Sequence, residues 1–210
     1  MHTENNTHTE TLSDIKNLME RSTRFISLSG ISGITTGIIA ITGVVLFCYY
    51  YSIDPFSGDL SILNQLPADN IINALLTAFA ILVLSIGSAV ILSVQKSRKM
   101  KVNVWGNSSK RFLINFFLPL IASGIFCLLL AFEIPDLVLP LSLIFYGMVL
   151  FNAGNYTISV IRSLGVIEML LGIFCLVFIN YHIVFWTIGF GVMHIIYGFN
   201  IYFKSDRNNA

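Results

Sequence analysis

The feature that most constrains this chain is a set of six apolar runs. Each reaches or approaches the ~20 residues that a helix needs to cross a hydrocarbon core. They cover Phe25–Tyr51, Asn70–Gln95, Phe112–Phe132, Leu137–Ala153, Ile158–Asn180 and Ile183–Phe203, and every gap between them carries Pro, Gly, Asn or charge. The fourth run is the weakest: it is short, and Pro140 sits near its start. Runs of this length exclude the ~10-residue alternating strands of an outer-membrane barrel. Composition points the same way. Of 210 residues, 55% are hydrophobic and only 11% are charged, where a soluble domain carries about 25% charged residues. An ordinary cytosolic globule, a disordered chain and a secreted disulfide scaffold are all excluded. The expected fold is all-α, a polytopic transmembrane bundle of six helices over residues 25–203.

Charge sets the expected direction of the spans, because Lys and Arg concentrate on the cytoplasmic side. Lys16, Arg21 and Arg24 precede the first run. Lys96, Arg98, Lys99, Lys101, Lys110 and Arg111 lie around the second loop. Arg162 opens the fifth run, and Lys204 and Arg207 follow the sixth, which accounts for all twelve basic residues. The alternate loops hold Asp54, Asp59, Asp69, Glu133 and Asp136 and no basic residue. Both termini are therefore expected in the cytoplasm. A net charge of +1 provides no field for a nucleic acid partner. The lipid bilayer is the expected surrounding.

The first span does not read as a cleaved signal peptide, because its apolar run is too long and lacks a small-residue exit site. Residues 1–11 read as a disordered polar tail and residues 204–210 as a cytoplasmic tail. Residues 12–24 read as an amphipathic juxtamembrane helix, with Ser13 as cap and Ile15, Leu18, Met19 and Ser22 on one face. Such a helix lies on the headgroups, with Arg21 and Arg24, like the basic second loop, toward anionic lipid. Docking a cytoplasmic protein partner is the alternative.

The chain carries signs of an internal repeat. Gly124-Ile125-Phe126-Cys127-Leu128 recurs as Gly172-Ile173-Phe174-Cys175-Leu176, and Ile144-Phe145-Tyr146-Gly147 is echoed by Ile195-Ile196-Tyr197-Gly198. Corresponding spans enter from the same side, so the repeat is parallel. With Gly37 in the place of Gly124, the bundle reads as three parallel-repeated helical hairpins. Coincidence between apolar segments of biased composition is the competing explanation.

Two ionisable residues lie near mid-span, where insertion costs about 2.5–3.5 kcal/mol. Glu168 stands 13 residues before Tyr181, the centre of the last hairpin turn, and His194 stands 13 after it. Antiparallel neighbours then hold them at matching depth, roughly 20 Å from the turn. Gly165 and Gly172 flank Glu168, and Gly191 and Gly198 flank His194, at the same helical offsets. Helix backbones can approach closely at such residues. Glu168 and His194 are expected to face each other or share a polar pocket, with Tyr197 one turn from His194 able to join. The pair is either a proton-carrying or ligand-binding site, or a polar clasp that fixes one hairpin.

The first span carries Gly30, Gly33 and Gly37, a pattern for close helix packing within the chain or across a homo-oligomer. Gly30-Ile31-Ser32-Gly33 also matches the GxSG of rhomboid proteases. Rhomboids, however, place that motif in a later span and need further His and Asn in an earlier one. The other residues give no catalytic motif, P-loop or dinucleotide fingerprint. The central polar pair is too small a set for a metal site, so no metal or cofactor is expected. Cys48, Cys127 and Cys175 all lie in apolar runs without CxxC spacing and read as packing residues.

Three stretches carry a resemblance: Met19-Glu20-Arg21-Ser22-Thr23-Arg24-Phe25-Ile26-Ser27-Leu28-Ser29-Gly30, Tyr156-Thr157-Ile158 through Glu168-Met169-Leu170-Leu171-Gly172, and Phe185-Trp186-Thr187-Ile188-Gly189-Phe190-Gly191-Val192-Met193-His194-Ile195-Ile196-Tyr197-Gly198. With them the chain resembles an uncharacterised family of small six-span inner-membrane proteins from Bacteroidota-type bacteria. The resemblance implies six spans, the bacterial inner membrane and no known activity. Members sometimes carry a β-carotene monooxygenase label. That enzyme class binds iron through histidines on a β-propeller, whereas here only His182 and His194 lie outside the polar tail. The expected role is therefore a non-enzymatic sensing or interaction module. A small proton-coupled transporter using Glu168 and His194 is the alternative, slightly favoured by Pro119 in the third span. An intramembrane enzyme comes third.

Overall fold

The computed structural model describes residues 29–56, 68–99 and 107–203. The polar tails, the 12–24 helix, Lys16, Arg21, Arg24 and Lys101 lie outside these residues. Among the described residues six helices are long and apolar enough to cross a membrane, and none of the residues forms a strand. They are α1 (Gly30–Tyr51), α2 (Ala68–Lys99), α3 (Asn107–Glu133), α4 (Val138–Ala153), α5 (Ser159–Val177) and α6 (Ile179–Ile201). This is a multi-pass membrane protein.

Local chemistry sets several helix ends. α1 stops where Ser52 turns left-handed at φ 54° and the Ile53 N–H reaches back to the Cys48 carbonyl at 3.0 Å. Pro135 opens a single tight turn before α4, and Pro140 falls in the first turn of α4, where a missing N–H breaks little. Pro119 behaves differently, because it lies inside α3. Its ring removes the N–H that would bond the carbonyl four residues back, at Asn115. Asn152 of α4 places its Nδ2 3.4 Å from that carbonyl and 3.3 Å from the Asn115 side-chain oxygen. Ser123 meanwhile donates its hydroxyl to the Pro119 carbonyl. The helix continues through the proline, with the Asn152 side chain at the carbonyl that loses its backbone donor.

Without a hydrophobic drive inside the membrane, helices associate through close packing. Here that packing occurs at glycines. α1 runs antiparallel to α6. A Cβ on Gly33 would stand 3.0 Å from the Gly198 Cα, and one on Gly37 would stand 2.5 Å from the Gly191 carbonyl. At Gly30 it would collide with the backbone of Tyr202. From the other side, a Gly198 Cβ would meet the Ile34 nitrogen at 2.6 Å. A second seam joins α4 to α5. Gly147 and Gly165 each lie 2.6 Å, at the Cβ position, from the other's carbonyl, and Gly172 would meet the Pro140 carbonyl at 2.9 Å. The buried face of α5 follows this seam: Ile161, Leu164, Gly165, Glu168, Gly172 and Cys175 recur at helical spacing.

The other two helices flank these seams. α2 lies on α1, where Ile81 fills the space over Gly43. α3 lies on α4, with Phe126 edge-on to Phe145 at 5.5 Å. The most apolar stretch of each buries no residue inside the protein. Leu82, Leu84 and Ile91 of α2, and Leu118, Ile121 and Leu129 of α3, are exposed. Lipid is the surrounding that such surfaces suit. The two members of the apparent repeat are not packed alike: Gly172 sits in the α4–α5 seam, whereas Gly124 meets nothing within 4 Å.

This contrast yields a paired test. Gly198→Ala and Gly165→Ala place a methyl against backbone, which must move. We expect each to cost about 1–3 kcal/mol and to lower the unfolding midpoint in detergent. Gly124→Ala should leave the midpoint unchanged or slightly raised.

Candidate functional site

α6 is not a uniform α-helix. It begins with a tight turn at Ile179–Tyr181, runs as α-helix over His182–Trp186, widens to a π-helix over Thr187–Met193, and returns to α-helix from His194 to Ile201. Gly189 and Gly191 lie within the wide segment. Glycine weakens the ordinary α-helical ladder, and π segments often mark functional sites. Here the π segment ends at His194, whose Nδ1 lies 3.0 Å from the Gly189 carbonyl five residues back.

Glu168 reaches this segment from α5. It is fully buried, and its Oε1 stands 3.5 Å from His194 Nδ1. That is within ion-pair range but longer than a good hydrogen bond. Neither carboxyl oxygen has a hydrogen-bond partner among the described residues. Oε2 occupies the space where a Cβ on Gly189 would stand, and Leu143 Cδ2 is 2.6 Å from that same Cβ position. Glycine is thus required at 189, for the carboxyl group could not lie against any other residue's side chain there.

The third member comes from α4. The Tyr146 hydroxyl lies 3.0 Å from His194 Nε2. The rings of Trp186, Phe190 and His194, one turn apart on α6, form a pile beside it. Trp186 and Phe190 are 4.6 Å apart, Phe190 and Tyr146 4.8 Å, and Phe190 and His194 5.9 Å. Above this pile Trp186 Nε1 donates to the Ser142 hydroxyl at 3.1 Å. Hydrogen bonds at Ser142 and at Tyr146 therefore tie α6 to α4.

The structure brings Glu168 and His194 together and places Tyr197 elsewhere. Tyr197 is half-buried against the cluster of Leu150, Ile161, Leu164 and Ile201. The hydroxyl that meets His194 belongs instead to Tyr146, which aligns with Tyr197 in the apparent repeat. The glycines flanking the pair also face other neighbours. Gly165 and Gly172 pack on α4, and Gly191 and Gly198 on α1. The contact between α5 and α6 at the pair is made by Gly189. Ser32 donates its hydroxyl to the Ser29 carbonyl.

The remaining singled-out residues lie at the helix ends. Lys96, Arg98 and Lys99 close α2, and Lys110 and Arg111 open α3. Arg162 stands over the Phe151 ring at 4.4 Å, a cation–π contact at the same end of α5. Among the described residues no group of three His, Cys, Asp or Glu side chains is placed to hold a metal ion.

Comparison with known protein families, with curated proteins and with solved structures finds no match. The functional reading therefore rests on the geometry of the site.

A double-mutant cycle tests that geometry. Gly189→Ala alone should destabilise the protein by about 1–3 kcal/mol, because the methyl overlaps the carboxyl group. In a Glu168→Ala background the same change should cost much less, giving a coupling of about 1 kcal/mol or more. Thermal unfolding of the four proteins in one detergent measures it.

Proposed function

We propose that the protein is a non-enzymatic membrane module whose helix packing responds to protonation at the Glu168–His194 pair. One observation carries this reading: a fully buried carboxyl group with no hydrogen-bond donor among the described residues, 3.5 Å from an imidazole nitrogen. An ionised carboxylate without donors is expensive in such surroundings, and it is tolerated when a partner carries the opposite charge. A neutral pair and an ion pair therefore pull on α5 and α6 differently. The π segment of α6 carries the Gly189 contact with Glu168 and can absorb the difference. Sensing or interaction at the cytoplasmic basic loop is the output this reading supplies, with Lys96, Arg98, Lys99, Lys110 and Arg111 as the contact surface. The bacterial inner membrane and both termini cytoplasmic belong to the same proposal; the glycine face of span one is occupied within the chain by α6 and is not free for a second copy.

A proton-coupled transporter is the second reading, favoured by the π segment, which places irregular backbone beside buried ionisable groups.

Trp186 reports on the site, because its ring lies 4.6 Å from Phe190. In liposomes containing the Trp105→Phe protein, we expect Trp186 emission to change with pH through the range where carboxyl and imidazole groups titrate. Adding Glu168→Gln should abolish the change while the unfolding midpoint is retained. A flat profile for the Trp105→Phe protein would sink the proton-responsive reading. Proton flux measured on the same vesicles separates the two readings: flux that Glu168→Gln removes favours transport, and a response without flux favours sensing.

A further inference from the structure

The two nitrogens of His194 meet chemically unequal partners. The Gly189 carbonyl, 3.0 Å from Nδ1, can only accept a hydrogen bond, so Nδ1 must carry the proton. In the neutral ring Nε2 is then a bare lone pair. The Tyr146 hydroxyl, 3.0 Å away, can donate to it. We propose that Gly189 and Tyr146 are positioning residues that fix His194 in the Nδ1–H tautomer, so that the ring passes a proton between the Tyr146 side and Glu168 only through its doubly protonated form. This rests on the reading of Glu168 and His194 as a protonation site.

A water-borne proton adds to the Nε2 lone pair, and the Tyr146 hydroxyl turns so that its oxygen accepts the new N–H. The ring is now doubly protonated. Where Glu168 is ionised, so that ring and carboxylate form an ion pair, the Nδ1 proton passes to Glu168 Oε1, 3.5 Å away, and both groups become neutral. What remains is a ring with Nε2–H and a bare Nδ1 lone pair against the Gly189 carbonyl. Two acceptors then face each other in a buried site, which is costly. That state does not persist: it takes a proton back from Glu168 or is re-protonated. The Gly189 carbonyl, which can only accept, therefore gives the ring a preferred resting state. The ionisable groups facing it are Glu168 from α5 and Tyr146 from α4. From α1, Gly33 and Gly37 approach this stretch of α6, and neither carries a charge.

The test is nitrogen NMR of the full chain, labelled with 15N-histidine and held in bilayers, with the His194 signals assigned by their loss in His194→Gln. At neutral pH we expect a protonated Nδ1 and a bare, hydrogen-bonded Nε2. Glu168→Gln should keep this tautomer, because the Gly189 carbonyl holds it. Tyr146→Phe should also keep it, but should shift the Nε2 signal toward that of a free lone pair. A protonated Nε2 in the unaltered protein overturns the proposal, as does a tautomer change in Glu168→Gln. An unmoved Nε2 signal in Tyr146→Phe overturns the role of Tyr146. The Glu168→Gln arm decides the question even if Tyr146→Phe fails to fold. A flat Trp186 emission profile would sink the proton-responsive reading without altering the tautomer, so the two failures are distinguishable.

Discussion

Contact between helix backbones at glycine is the constraint on which the rest of this structure depends. In water, burial of apolar side chains would hold the helices together. In lipid that drive is absent, and surface-to-surface fit replaces it. The α1–α6 seam at Gly30, Gly33, Gly37, Gly191 and Gly198, and the α4–α5 seam at Gly147, Gly165 and Gly172, bring main chains nearly into contact. α4 and α6 are joined in turn through the rings of Tyr146 and Phe190 and the Trp186–Ser142 bond. α2 and α3 sit outside these contacts and present apolar faces that suit lipid.

The polar site is a consequence of the same geometry. Glu168 lies between Gly165 and Gly172 on the face of α5 that turns inward. It therefore reaches α6 only where that helix also lacks a side chain, at Gly189. In the wide turn of α6 the Gly189 carbonyl lies 3.0 Å from His194 Nδ1 and can accept its N–H. Backbone irregularity and the buried ionisable pair thus meet at one residue, with the π segment supplying an acceptor and the histidine a donor.

Much of this was legible in the sequence, and the misses are instructive. The six spans could be read because a membrane-crossing helix needs a long uninterrupted apolar run. The matching depth of Glu168 and His194 followed from equal distances to the turn. Tyr146 was harder to see, because its contact with His194 depends on which face of α4 meets α6, and hydrophobicity hardly varies around α4. The only signal was indirect: Tyr146 occupies in its hairpin the place that Tyr197 occupies in the next. Gly189 was obscured by the assumption of a regular helix. At ordinary pitch the glycines that flank His194 are Gly191 and Gly198. The widened segment shifts the register and puts Gly189 against Glu168 instead. A Gly-Phe-Gly sequence just before a mid-span histidine was the available hint.

Energetics explain how such a network can alter without unfolding the protein. A hydrogen bond between membrane helices averages about 0.6 kcal/mol and seldom exceeds about 2 kcal/mol. The Tyr146–His194 and Trp186–Ser142 bonds together therefore contribute modestly to holding α6 in place. The glycine seams do most of it, and no titratable group takes part in the contacts at Gly30, Gly37, Gly147 or Gly165. The π segment carries both kinds of contact: Gly191 packs on α1, and Gly189 meets the Glu168 carboxyl group. One face of α6 is thus held by close backbone packing, and the opposite face of the same wide stretch holds the buried polar pair.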